Sequence, residues 1–272
     1  MQHNFLLRLI LSFAFFYIQN CLGQINVLGK PGLLTTPTAQ WLDQPLGISL
    51  SFIPDAHANQ LIYSQGVSPK NRIRLIGTRI ALTSFIEVGM NLIQRPLVEN
   101  NGIGDRHLDF RFLILNETDN RPAIVLGITF PFSRIPLINH DYLVATKSFK
   151  KFSLSLGYGS PFQLKTSNQG NFFQGLSLVD KRNNTTSDGI FGNNSYLIGL
   201  FCGVNYKISP WCGIMTEYNS SIINTGVFFS LKNWGYISLN SFEFMSPSAT
   251  FSAQFSLDNA PRLIRKYEKN RM

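Results

Sequence analysis

Charge is scarce in this chain. Only 14% of its 272 residues are Asp, Glu, Lys or Arg, against about 25% in an average soluble domain. Cysteine is scarcer still: three residues, one of them Cys21, exclude a disulfide framework and a four-ligand zinc site. Beyond residue 24 no run of about 18 apolar residues occurs, so no membrane-crossing helix is encoded there. Histidine is thin, with one residue near the start and then only His57, His107 and His140, each in a separate region. A G-x-S-x-G elbow, an H-E-x-x-H helix, a Walker loop and a Cys-x-x-Cys pair are all missing. These absences argue against an enzyme; no catalytic residue, metal ligand or cofactor is expected.

What the chain does have is grease: 44% hydrophobic residues, including 23 Phe. That excludes a disordered polymer, which needs low hydrophobicity and high net charge.

Residues 1–24 read MQHNFLLRLILSFAFFYIQNCLGQ, with Arg8, an apolar run from Leu9 to Ile18 and small residues around Cys21 and Gly23. This is the layout of a secretory signal peptide over 1–23, with cleavage expected after Gly23. A lipoprotein site at Cys21 is the alternative, which Gln19 and Asn20 fit poorly. Losing the leader lowers the formal charge from +9 to +8. For an exported chain, nucleic acid is not an expected partner. Cys202 and Cys212 are expected as two buried free thiols, a hairpin-crossing disulfide being the alternative.

Alternation with a period of two recurs along the chain and argues for strands. Ile48, Leu50 and Phe52 alternate with Ser49 and Ser51, and Ile86, Val88, Met90 and Leu92 with Glu87, Gly89 and Asn91. Leu108, Phe110, Phe112 and Ile114 alternate with His107, Asp109 and Arg111; the same rule holds around residues 126, 154, 202 and 254. Asn71–Leu82 breaks it, since Ile73 and Leu75 have one parity and Ile76 and Ile80 the other; a β-bulge there would restore it.

The second face decides the architecture. A soluble barrel or sandwich hides its apolar side chains and shows Lys and Glu outside. Here the second face is mostly Ser, Gly, Asn and Thr, with charges gathered in the connections. A membrane barrel has that inverted arrangement, apolar residues meeting lipid and small polar ones lining the interior. Twelve strands are expected, centred near residues 50, 76, 88, 111, 126, 144, 154, 202, 215, 228, 238 and 254, with links alternating long and short. The even count would place both termini on the short-turn side, the periplasm. The predicted fold is therefore all-β: an antiparallel up-and-down transmembrane β-barrel of about 12 strands. It would occupy residues 47–257, preceded by a lead-in or plug over 24–46 and followed by a basic tail over 258–272.

Polar residues collect where this layout puts the outer mouth. Asp55, Asp105, Arg106, His140 and Asp141 are candidate rim or ligand contacts; Gly and Asp making turns and strand starts explain them equally. His107, Asp109 and Arg111 share one face of a strand and would form an interior network that braces the barrel or narrows a channel. The stretch Lys165–Ser195 is read as one long loop in which Phe172 and Phe173 stack on a sugar or pack back into the mouth.

Four segments resemble the YjbH family of Gram-negative outer-membrane proteins: Gly29–Trp41 with its Gly-Leu-Leu-x-x-Pro-Thr-Ala core, Ser51-Phe52-Ile53-Pro54, Gly102–Phe112, and His140–Lys147. The style is similar to the short forms found in Bacteroidetes. The resemblance implies a non-enzymatic outer-membrane barrel assisting exopolysaccharide or capsule secretion. Its implied partners are outer-membrane lipid, the polysaccharide and periplasmic secretion proteins. Longer family members are several times this size, so the chain looks like a single barrel unit, acting as an exporter or as a partner of one. A soluble secreted β-sandwich that binds carbohydrate is the alternative reading, and a barrel hydrolase or acyltransferase using the scattered histidines a third.

Overall fold

The computed structural model describes residues 23–54, 72–96, 106–130, 140–166, 176–180, 197–231 and 234–256. Apolar side chains every second residue, with few charges between them, produce fourteen strands and no helix among those residues. Six strands form the first part of the wall: β1 (Leu46–Ile53), β2 (Ile73–Ala81), β3 (Ile86–Gln94), β4 (Arg106–Leu115), β5 (Ala123–Thr129) and β6 (Tyr142–Ser148). After β7 (Phe152–Gly159), a short hairpin of β8 (Phe162–Thr166) and β9 (Leu176–Asp180) stands apart as its own two-stranded sheet. The wall then resumes with β10 (Gly199–Ser209), β11 (Cys212–Tyr218), β12 (Ile223–Leu231), β13 (Gly235–Phe242) and β14 (Ser246–Phe255).

Twelve of these strands close into a barrel in which chain neighbours are spatial neighbours, every pair is antiparallel, and β1 meets β14 from Leu46↔Phe255 to Phe52↔Ala249. Closure removes the unpaired edges that an open sheet would leave in hydrocarbon. The start of β1 and the end of β14 lie together at the end of the barrel that carries the short turns.

The direction of the side chains is the second finding. Ile48, Leu50, Phe52, Leu154, Leu156, Leu200, Val204, Ile214 and Phe251 are exposed on the outside, while Ser49, Ser51, Ser153, Ser155, Asn205, Thr250 and Ser252 are buried inside. No soluble sandwich has that arrangement, so the alternative of a β-sandwich is corrected: the apolar side chains cover the outer wall of a membrane-spanning barrel.

Three further expectations change. β2 contains no bulge: its register is continuous with both neighbours, from Leu46↔Ile80 to Ile53↔Ile73 and from Arg74↔Gln94 to Ala81↔Glu87. Ile73 and Leu75 break parity because they point inward, where they join Ile53 and Ile93 against Val27 and Leu28. Irregularities fall instead at Leu113/Leu115 and Lys207/Ser209. The Lys165–Ser195 stretch is not one loop, since β8 and β9 pair from Phe162↔Asp180 to Thr166↔Leu176. Cys202 and Cys212 are both free, but Cys202 is exposed on the outer wall rather than buried.

A barrel of eight strands is filled by its own side chains, and one of 16–18 leaves a water channel. Twelve strands leave an intermediate lumen, and residues 23–45 enter it. Every residue from Gly23 to Leu42 is buried. Both ends of this plug are tied to one side chain near the short-turn end: Gln254 donates from Nε2 to the Gly23 carbonyl at 2.8 Å, and its Oε1 accepts from the Asp43 N–H at 3.0 Å. Between them the chain folds on itself around Asn26, whose Oδ1 accepts from the N–H groups of Leu28 and Lys30 at 2.9 and 3.0 Å. Asn26 Nδ2 donates to the Thr35 carbonyl at 3.0 Å. Plug and wall share two apolar clusters, one around Val27, Leu28 and Trp41, the other joining Leu33 and Leu34 to Met215, Phe228 and Tyr236.

Large inward rings fit because the directly paired residue on the next strand is glycine. Tyr142 lies over Gly127 and Phe201 over Gly157, positions where a Cβ would collide with the ring.

Candidate functional site

The charged residues that the sequence scatters over four segments meet inside the barrel. Period two carries Arg79 on β2, Glu87 on β3, and Asp109 and Arg111 on β4 to the inner face, and all four are fully or nearly fully buried. Arg111 donates to Glu87 Oε2 at 2.6 Å, and Arg79 lies 3.4 Å from Glu87 Oε1 and 3.1 Å from Asp109 Oδ2. The plug adds the fifth charge, with Lys30 Nζ 3.3 Å from Asp109 Oδ1. Asp109 also accepts from Asn91 at 2.6 Å and from the Thr129 hydroxyl at 3.0 Å. Three cations alternate with two carboxylates, so each acid sits between two bases. Buried charges are tolerated only when paired and hydrogen-bonded in this manner.

The same cations hold the plug backbone. Arg111 donates to the carbonyls of Thr38 and Gln40 at 2.7 and 3.0 Å, and its guanidinium lies 5.2 Å from the centre of the Trp41 ring. Arg79 Nε donates to the Gly29 carbonyl. Lys30 in turn approaches His140 Nδ1 at 3.2 Å and lies over the Tyr142 ring.

On the opposite wall a single acid does the corresponding work. Glu217 on β11 accepts from the N–H groups of Leu34, Thr35 and Thr36 at 3.0, 2.9 and 2.9 Å, from both threonine hydroxyls, and from Asn224 at 3.2 Å. Three successive backbone N–H groups facing one carboxylate form an anion-binding concavity made by the plug and filled by the wall.

Of the expected interior residues, Asp109 and Arg111 lie in this network, and His107 faces inward 3.3 Å from Asn91 and 3.9 Å from Asp109. His140, expected at the rim, is instead buried beside Lys30. Asp141 accepts the Thr129 N–H at 2.8 Å and so organises the adjoining strand end. Arg106 is exposed and shares the parity of Leu108 and Phe110, which puts it on the outer wall and not in the mouth. Asp55 and Asp105 lie outside the described residues, as do residues 1–22 and 257–272. Sequence reading missed Arg79, Glu87 and Glu217. Glu87 and Glu217 are each the one charge of their strand and stand at an inward parity, while Arg79 shares β2 with the outward-facing Arg74 and has the inward parity of Ile73 and Leu75. Among the described residues no group of three or more His, Cys, Asp or Glu is placed to hold a metal ion.

The arrangement grips a peptide segment by charge, at both walls, across a lumen.

A family model described as exopolysaccharide biosynthesis protein matches residues 24–225, which includes the plug and the wall through β11. A search among curated proteins finds no match. Among solved structures the chain is similar to the NanC porin, at 10% identity over 78% of this chain and 100% of that one, with a TM-score of 0.44. It is similar to the KdgM porin at 8% identity over 78% and 99% of the two chains, TM-score 0.42. A third is outer membrane protein Omp33 of Acinetobacter baumannii, at 6% identity over 79% and 98%, TM-score 0.36.

Proposed function

The chain belongs to the YjbH family, and from that membership we propose that it is a non-enzymatic outer-membrane barrel that assists secretion of an exopolysaccharide or capsule. The family match over residues 24–225 carries this reading. Two features are in keeping with it: an outer wall made for lipid, and a lumen in which Arg79, Asp109, Arg111 and Glu217 hold a plug. Outer-membrane lipid, the polymer and periplasmic secretion proteins are the proposed partners, and export with cleavage after Gly23 the proposed route. Deleting the gene tests it. Surface polymer is lost while other outer-membrane proteins stay at normal levels; unchanged polymer removes the role.

The filled lumen favours one version of this function. With Arg111 and Glu217 holding the plug from opposite walls, the polymer does not run through this barrel while the plug is seated, and the protein supports the secretion machinery as a partner. Locking the plug separates the versions: Thr36→Cys and Glu217→Cys, joined by a short thiol-bridging reagent in a Cys202→Ser/Cys212→Ser background. Secretion that survives the lock supports the partner role; secretion that stops makes the barrel the conduit.

A further inference from the structure

The outward face of the twelve wall strands is almost free of charge. Its charged side chains, among the described residues, are Arg74, Arg106 and Lys147, and it carries no carboxylate. Lys147 lies at the short-turn end and is already occupied, 3.4 Å from Glu117. Arg74 and Arg106 lie together at the other end. Arg74 pairs with Gln94 and Arg106 with Leu92, so the two flank β3 and are two strands and two residues apart. Strand spacing and rise put their Cα atoms about 12 Å from each other. Both are exposed, and neither makes an ion pair with another described residue.

From this placement we infer that Arg74 and Arg106 form a binding site for the phosphate groups of an anionic glycolipid in the outer leaflet. Their position selects the lipid as the source of the phosphate. Both arginines have the parity of residues that meet hydrocarbon, directly beyond Ile76 on β2 and Leu108 on β4. Short turns mark the periplasmic side of such barrels, so the long-loop end, where both arginines sit, is the outer-leaflet side. An arginine at the bilayer midplane costs about 2–4 kcal/mol, falling to about 0–1 near the interface, so two guanidiniums with no ion-pair partner among the described residues are tolerated only at head-group level. There each presents a planar fork of donors that matches phosphate oxygens in pairs. Two forks about 12 Å apart suit a head group with more than one phosphate better than a single-phosphate phospholipid.

The test uses the full-length protein in detergent and native mass spectrometry, with four probes: bisphosphorylated lipid A, its dephosphorylated form, phosphatidylglycerol and inorganic phosphate. Bisphosphorylated lipid A is expected to be retained most, and Arg74→Ala/Arg106→Ala to cut its bound fraction about tenfold. Lys147→Ala leaves it unchanged. The double variant keeps the gel shift on boiling, because neither side chain holds the wall together. Equal retention of the dephosphorylated lipid, an unaltered bound fraction in the double variant, or inorganic phosphate binding as tightly as the lipid would each overturn the site.

Discussion

Glu217 accepts both the backbone N–H and the hydroxyl of Thr36, at 2.9 and 2.8 Å. It fastens a turn of the N-terminal segment to a strand 181 residues later in the chain. The contact is one of a matched set. Arg79 and Arg111 donate to plug carbonyls from one wall, while Glu217 accepts from plug N–H groups on the other. The plug is thus held by its backbone, through donors and acceptors of opposite sign on opposite sides of the lumen.

Loosening the acid should loosen the plug. Glu217→Ala strips the partners from three backbone N–H groups, each worth about 1.5–3 kcal/mol as a bond to a charged acceptor. The expected result in planar bilayers is a rise in conductance over a wild type that is closed for most of the record. Glu217→Gln, which keeps one acceptor oxygen, should fall between. A conductance equal to wild type in both variants would show that the plug stays seated without this carboxylate.

The pair Arg111–Glu87 is expected to behave as a unit. Removing Arg111 leaves Glu87 with Arg79 alone, and removing Glu87 leaves Arg111 with only the plug carbonyls, each at a cost of up to about 3–5 kcal/mol. Arg111→Met together with Glu87→Met should cost less than the two single changes added. Urea unfolding of the barrel in lipid vesicles, followed by tryptophan fluorescence, reads all three variants. Simple additivity would mean that the two side chains do not interact.

At Gly157 the expectation is steric. Gly157→Val pushes a branched side chain into the Phe201 ring, which covers the glycine from the paired position on β10. The folded, heat-modifiable band should weaken sharply on an unboiled gel. Phe201→Ala in the same chain should restore it in part, since it opens the space the valine needs. Failure of that rescue would assign the damage to the strand backbone instead.

Cys202 reports which solvent the outer wall meets. Its neighbours on that face are Leu200 and Val204, so a membrane-soluble maleimide should label it in whole cells while a charged, water-soluble one does not. Leu156→Lys on the adjacent strand should reduce insertion, at a cost of about 2–4 kcal/mol if the site lies near the midplane. Ready labelling of Cys202 by the charged reagent would place this face in water.

The wall is written in local pattern. Alternation such as Ile48-Ser49-Leu50-Ser51 is a local property with period two, so strand positions, their number and the greasy parity could all be read from neighbouring residues. Link lengths then ordered the strands, because short turns can only join adjacent antiparallel ones. The interior was legible only in part. Asp109 and Arg111 stood out as charges at inward positions, but nothing local shows that Arg111 chooses Glu87, that Lys30 comes to lie beside Asp109, or that Glu217 waits for Thr35 and Thr36. The parity break at Ile73 and Leu75 suggested a bulge when its cause was an apolar patch waiting for Val27 and Leu28. Such pairings are set by closure of the barrel and insertion of residues 23–45, which bring together groups far apart in the chain. Burial then forces every charge and backbone amide placed there to find a partner.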